Sequence, residues 1–309
     1  MKIRYLIIFL LSAVIMASCS IKDDLSDCPK SGRYIRVHFT VGESYTYSKA
    51  IADEDLNDIN LYIFDESGYF VAIEDAVQID EDDYYMDIDL EPGLYTFIVW
   101  ANIIDCSILS HEELIPGETT LNELLFEIES DDDNVLPDIP SSLYYGFYEL
   151  AEITEVDDHD FYIDLTSQLY TINLWTRGLE NFNDDFRYII TDKHGKIGFN
   201  NMVESDDDIY YVSTCERDSD GQLFCTLKIL HLQENRQNAY LTLMNVDRSE
   251  IFFSANLVEL ILSLRDYGVT VDFNRIYEYN IVLVFGADME VTVYINGWKV
   301  REQEGNISV

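Results

Sequence analysis

Apolar and polar residues alternate with a period of two along much of this chain. Ile35, Val37, Phe39 and Val41 are separated by Arg36, His38 and Thr40; Tyr84, Met86, Ile88 and Leu90 by Tyr85, Asp87 and Asp89; Met289, Val291, Val293 and Ile295 by Glu290, Thr292 and Tyr294. Successive side chains of a strand point to opposite faces, so each run predicts a strand with one face buried and one wet. Further strands are predicted over residues 59–64, 94–101, 143–148, 169–176, 186–191, 209–213, 223–230, 239–246 and 277–285. Short strands rich in Tyr, Val and Ile, parted by acidic or Gly-bearing turns, predict antiparallel β-sandwiches.

Helical periodicity is sparse. "NLVELILSL" sets Leu257, Leu260, Ile261 and Leu264 on one face, with Asn256 placed to cap and Glu259 three residues on. "TTLNELLFEI" predicts a second short helix from Leu121. The two halves of the chain also resemble each other: "YIFDESGYF" from Tyr62 and "YIITDKHGKI" from Tyr188 both read as strand, polar turn and strand, and Asp65 and Gly68 match Asp192 and Gly195 at one offset. This predicts two domains of similar build, residues 31–156 and 157–309, divided near the acidic "TEVDDHD" at 154–160.

Charge narrows the functional classes. With 59 acidic residues against 19 basic, the net charge is −40, and such a polyanion lacks the clustered cations that phosphate contacts to DNA or RNA require. Apolar content of 48% is nevertheless enough for real cores, so the charge reads as a solvated exterior rather than disorder.

The N-terminus has the layout of an export signal. Lys2 and Arg4 precede an apolar run over residues 5–16, which ends in Ala17 and Ser18. The run falls short of the roughly 20 residues a membrane span needs, so residues 1–18 are expected to be removed. Met16-Ala17-Ser18-Cys19 resembles the lipobox of bacterial lipoproteins, which makes Cys19 the expected lipid-attachment residue and 19–30 a tether. Acyl chains supply the hold, because each buried methylene contributes roughly 0.8 kcal/mol and two or more chains anchor firmly. Lys22-Asp23-Asp24 is similar to the signal that carries some lipoproteins to the outer face of the outer membrane. The mature chain would carry 17 basic and 59 acidic residues, a net −42, and would be repelled by anionic membrane surfaces without its lipid.

Cys28, Cys106, Cys215 and Cys225 remain, an even number in an exported chain. Cys215 and Cys225 flank "ERDSDGQLF", in which Ser219-Asp220-Gly221 reads as a three-residue hairpin loop. That loop would set the two cysteines opposite each other as a disulfide; Cys28 and Cys106 are the remaining pair by elimination.

Catalytic signatures are missing. The sequence holds no Gly-rich phosphate loop, GxSxG elbow or HExxH helix, and no catalytic residue, metal ligand or cofactor is assigned. Its histidines, at 38, 111, 159, 194 and 231, have no metal-ligand spacing and read as surface or turn residues. Asp131-Asp132-Asp133-Asn134, Asp206-Asp207-Asp208 and Asp218-Ser219-Asp220-Gly221 lack a full calcium loop and read as solvated turns.

Together, "CSIKDDLSDCP", "YIRVHFTV", "INLYIFDESGYF", "GLYTFIVWAN" and "EVTVYINGWKV" resemble the fimbrillin-A-associated anchor family of type V fimbriae. The resemblance implies two tandem transthyretin-like antiparallel β-sandwich domains with a few short helices. It also implies a non-enzymatic, lipid-anchored anchor or accessory subunit that attaches a fimbrial shaft to the outer membrane and limits its length, facing the cell surface. Its partner would be the shaft subunit, joined by β-strand pairing, in which main-chain hydrogen bonds give affinity. The alternative is a surface glycan-binding lipoprotein of an uptake system, suggested by the 22 Tyr and 16 Phe and the export signal.

Overall fold

The computed structural model describes residues 33–41, 56, 58–75, 77–80, 83–103, 107–109, 113–136, 139, 142–180, 182, 184–205, 207–235 and 238–304. The segments 1–18 and 19–30, together with Cys19, Cys28 and Cys106, lie outside the described residues. In chain order the first strands are β1 (Ile35–Val41), β2 (Ile59–Asp65), β3 (Phe70–Glu74), β4 (Gln78–Asp80), β5 (Asp83–Ile88), β6 (Gly93–Ala101), β7 (Ser107–Leu109), β8 (Leu125–Ile128), β9 (Tyr144–Ile153) and β10 (His159–Ser167). There follow β11 (Leu169–Arg177), β12 (Phe186–Asp192), β13 (Lys196–Gly198), β14 (Ile209–Thr214), β15 (Glu216–Arg217), β16 (Leu223–Leu230), β17 (Tyr240–Asn245), β18 (Glu250–Asn256), the helix α1 (Leu257–Leu262), β19 (Glu278–Phe285), β20 (Glu290–Ile295) and β21 (Trp298–Glu304).

The first half forms one strand series, β3-β2-β6-β9-β10-β1-β5-β4, which folds over at β9 and β10, where only Tyr144 and Tyr145 pair with Ser167 and Thr166. Between its two layers lie Val37, Phe39, Ile63, Phe97, Val99, Ile163 and Leu165, the inward members of the alternation. Phe97 and Phe161 meet edge-on across this core at 5.4 Å, a favoured aromatic geometry. The second half has a six-stranded sheet, β15-β16-β11-β19-β20-β21, and a four-stranded sheet, β14-β12-β17-β18, around Ile172, Leu174, Tyr188, Leu243, Phe253 and Ile281.

The halves repeat each other strand for strand. The neighbours β3-β2-β6-β9 recur as β14-β12-β17-β18, and β10-β1-β5-β4 recur as β19-β11-β16-β15, all in the same chain order. The matched turns at Asp65 and Asp192 thus end equivalent strands, β2 and β12. After β12, however, the chain runs into β13, which pairs with β8 of the first half, so that β7, β8 and β13 make a small third sheet from both halves.

Three expectations need correction. The sandwiches are not wholly antiparallel: β1 lies parallel to β10, and β11 parallel to β19. Each such pair is joined through all the intervening strands of its half, which gives the long connection that parallel neighbours need. The division at 156/157 falls between β9 and β10, both members of the first series, and the chain passes to the second half at Gln168 between β10 and β11. Finally, the helix from Leu121 is a single 3-10 turn, Leu121–Glu123. Thr120 and Glu123 close its capping box, with the Thr120 N–H donating to Glu123 Oε2 at 2.7 Å; beyond it Leu124, Phe126 and Ile128 are buried alternately and the chain becomes β8. The other helix forms as read, with the Glu259 N–H donating to Asn256 Oδ1 at 2.9 Å, which satisfies one donor of the first turn.

Candidate functional site

Three acidic turns each close on an aspartate carboxylate. Asp65, Asp131 and Asp218 each accept two backbone N–H groups on Oδ1, from residues two and four places on, at 2.8–3.0 Å. The fourth residue of each turn, Gly68, Asn134 or Gly221, has a positive φ, where Gly and Asn carry the smallest steric penalty. Among the described residues no group of three or more His, Cys, Asp or Glu is placed to hold a metal ion.

The hairpin read between Cys215 and Cys225 is present, and Glu216 pairs with Phe224 just inside them. Both thiols are free in the structure and hydrogen-bond to each other. That bond and burial hold the Cys215 thiol protonated, far above the usual thiol range. Of the histidines read as surface or turn residues, His194 does lie in a turn, but it, His38 and His231 are buried. His38 stacks on Tyr162 at 4.5 Å and reaches Asp160 at 2.8 Å, His194 Nδ1 lies 2.7 Å from Asp192 Oδ2, and His231 lies beside the ring of Tyr170.

The strand read over residues 289–295 is β20, and a second strand, β21, follows it at once. Asn296 and Gly297 both have positive φ, 48° and 87°, the pair of left-handed residues that a two-residue type I′ hairpin requires. β20 therefore turns back into β21, which reaches Glu304 inside the polar tail. The C-terminal segment thus extends the six-stranded sheet of the second half.

Sheet edges are where a partner strand can add, and most of them here are blocked. β21 carries Lys299, Arg301, Glu302 and Glu304 and has a bulge next to Val293 and Tyr294; Tyr267 further bonds the Lys299 carbonyl. β15 and β4 are two and three residues long. β3 is covered by Gly117 and Thr119, which bond Phe70, and Asn134 and Leu136 bond Tyr210 of β14.

β18 differs: seven residues long, it has Glu250 as its single charge. Leu257 N–H donates to the Ala239 carbonyl, and by antiparallel alternation the Ser254 N–H and C=O point away from β17, into the open edge. The outward side chains across this sheet include Tyr210 and Val212 of β14, Ile189 of β12, Tyr240 and Met244 of β17 and Ile251 of β18. Arg187 is the one charge on that side of β12, in a chain with 59 acidic residues. No sequence pattern announced this edge, because a bulge between Leu243 and Met244 disrupts the register opposite it.

The described residues thus form a mainly β body whose halves repeat one strand order and share a small third sheet. The family model for fimbrillin-A-associated anchor proteins Mfa1 and Mfa2 matches residues 25–304, so the chain belongs to that family, whose members are components of cell-surface appendages and not enzymes. The fold is shared with the fimbrial anchor protein Mfa2 from Porphyromonas gingivalis, at a TM-score of 0.70 and 21% identity over 88% of this chain and 100% of that one. A Bacteroides thetaiotaomicron protein described as a candidate polysaccharide binder superimposes at 0.76 with 19% identity, over 88% and 99% of the two chains. A candidate adhesin from Bacteroides ovatus does so at 0.72 with 15% identity, over 87% and 95%. No curated protein matches the sequence. Among the described residues no helix is long and apolar enough to cross a membrane.

Proposed function

We propose that this chain is the anchor or accessory subunit of a type V fimbrium, held at the outer membrane through lipid on Cys19 and joined to the shaft subunit by backbone strand pairing. The match of the family over residues 25–304 carries the reading. In it, residues 19–30 are the tether and the two repeated halves are transthyretin-like sandwiches, which fixes the base of the shaft and limits its length. The edge of β18 is the segment best suited to receive a shaft strand, since the N–H and C=O of Ser254 point away from β17 and its flanking face carries little charge to desolvate.

The test is made in cells. Replacing Cys19→Ala should release a folded protein into the soluble fraction and leave fimbriae shed into the medium. Fimbriae that stay attached at normal length in a strain lacking the whole protein would refute the anchor role.

A further inference from the structure

The segments 200–202, 231–235 and 270–274 enclose a cleft of about 520 Å³ at one end of the second sandwich. They follow β13, follow β16 and precede β19, so three connections far apart in sequence converge on it. The volume lies in the range of small-molecule sites.

Its buried polar atoms share one character. Gln233 is 9% exposed and spends its amide N–H on the Asn201 carbonyl at 2.7 Å, which leaves Oε1 without a partner. Asn201 Oδ1 also has none. His231, 7% exposed, hydrogen-bonds the Phe273 carbonyl and the Asn274 side chain, and burial together with nearby His194 pushes its pKa down to about 4. The ring is therefore neutral near pH 7, with its N–H already used, and the remaining Nδ1, which has no partner, is an acceptor. Three acceptors are thus buried and idle, whereas buried polar groups are normally paired because leaving them bare costs as much as a lost hydrogen bond.

The ligand that completes such a set must bring donors. An anion would leave these three acceptors unsatisfied, in a chain of net charge −40. A divalent cation would call for carboxylates, and those at the rim are occupied: Glu234 is held by the Arg265 guanidinium at 2.7 and 2.8 Å, and Asp272 accepts the Asn274 N–H at 2.9 Å. Met202, 40% exposed, lines the cleft with the largely buried Val271 and Phe273 and gives it an apolar side. Several hydroxyl donors next to a C–H face are the attributes of a sugar ring.

We propose that this cleft is a binding site for a neutral sugar unit of a longer glycan, with Asn201 Oδ1, Gln233 Oε1 and His231 Nδ1 accepting from its hydroxyls. The site is independent of the anchor role, and sugar binding would add adhesion to it.

Saturation-transfer NMR on the full chain would use maltotriose, cellotriose, mannotriose and chitotriose as probes, with calcium chloride as a separate titrant. At least one sugar should give a transfer signal. Asn201→Gly keeps the left-handed backbone at this position, φ 60°, and should weaken that sugar about tenfold, the effect of one hydrogen bond. Gln233→Met should do the same, and thermal melting reports whether each variant is folded. Tyr162→Ser, which removes the 61% exposed tyrosine on β10, should change nothing. The proposal is overturned if no sugar gives a signal, if Tyr162→Ser abolishes binding while the two cleft variants leave it intact, or if calcium occupies the cleft and excludes the sugar.

Discussion

The Tyr145 hydroxyl, on β9 of the first half, donates to the Phe199 carbonyl just beyond β13 of the second, at 2.6 Å. Beside it Trp100 of β6 lies 5.1 Å from the Tyr145 ring and stacks on Phe126 at 4.6 Å. Trp100, Phe126 and Tyr145 belong to the same buried cluster as the second core, so the outer face of β6 and β9 is covered at these residues. The halves should therefore unfold together.

A single calorimetric transition with matching van't Hoff and calorimetric enthalpies is the expected result. Trp100→Ala should lower stability by about 3–5 kcal/mol, the usual cost of truncating a buried aromatic, and Tyr145→Phe by about 1 kcal/mol for its hydrogen bond. Two separate transitions, with Trp100→Ala moving only one, would show that the junction does not couple them.

The thiols of Cys215 and Cys225 should be joined in the exported protein. They already touch across the hairpin, so oxidation requires little movement. Closing so small a loop should stabilise by about 2–3 kcal/mol, an amount the fold can lose on reduction without unfolding. Peptide mapping of unreduced protein should recover the two peptides linked; alkylation of either thiol before reduction would contradict this.

His231 should make stability fall in mild acid. Its pKa drops from 6.5 to about 4 on folding, so between these values the unfolded chain binds more protons than the native one. Stability is then fully present above pH 6.5 and declines as pH falls towards 4, by about 3 kcal/mol over the window. His194 lies close by and faces Asp192 at 2.7 Å, so the informative quantity is a difference between variants. Urea midpoints of wild type and His231→Gln should diverge between pH 4 and 6.5 and run parallel above it; parallel curves throughout would refute the assignment.

Strands with a clean alternation and a wet face, such as β1, β5 and β20, were legible because period two survives in sequence whenever one side of a strand meets water. The Asn256 cap and the turn at Gly221 were legible because they depend on neighbours in sequence. β10 was not: its inward Phe161, Ile163 and Leu165 follow an acidic stretch that reads as a linker, and its partner β1 is more than a hundred residues away. β18 was hidden by its bulge, which leaves both Phe252 and Phe253 buried and breaks the alternation. β21 was hidden because an edge strand that repels partners is charged and carries no apolar period. The cleft could not be read at all, since Asn201, Gln233 and Phe273 are brought together only by the fold.

If shaft subunits add at β18, the backbone of Ser254 should be the point of failure. Its N–H points into the open edge and is not needed by β17, which makes it a position where proline removes a donor without breaking the native ladder. The side chain contributes only a hydroxyl contact with Thr242 at 3.1 Å. Ser254→Pro should therefore lower stability by about 1 kcal/mol or less yet release fimbriae from cells, because an incoming strand loses a main-chain hydrogen bond and meets the ring. Ile251→Lys on the same edge should act alike by placing a charge where the added strand would pack, with no effect on folding, since Ile251 is 43% exposed. Glu302→Lys on β21 is the matched control and should leave attachment unchanged. Attachment at wild-type levels in both β18 variants would move the docking edge elsewhere on the protein, whereas loss in the β21 control alone would place it at the C-terminal hairpin.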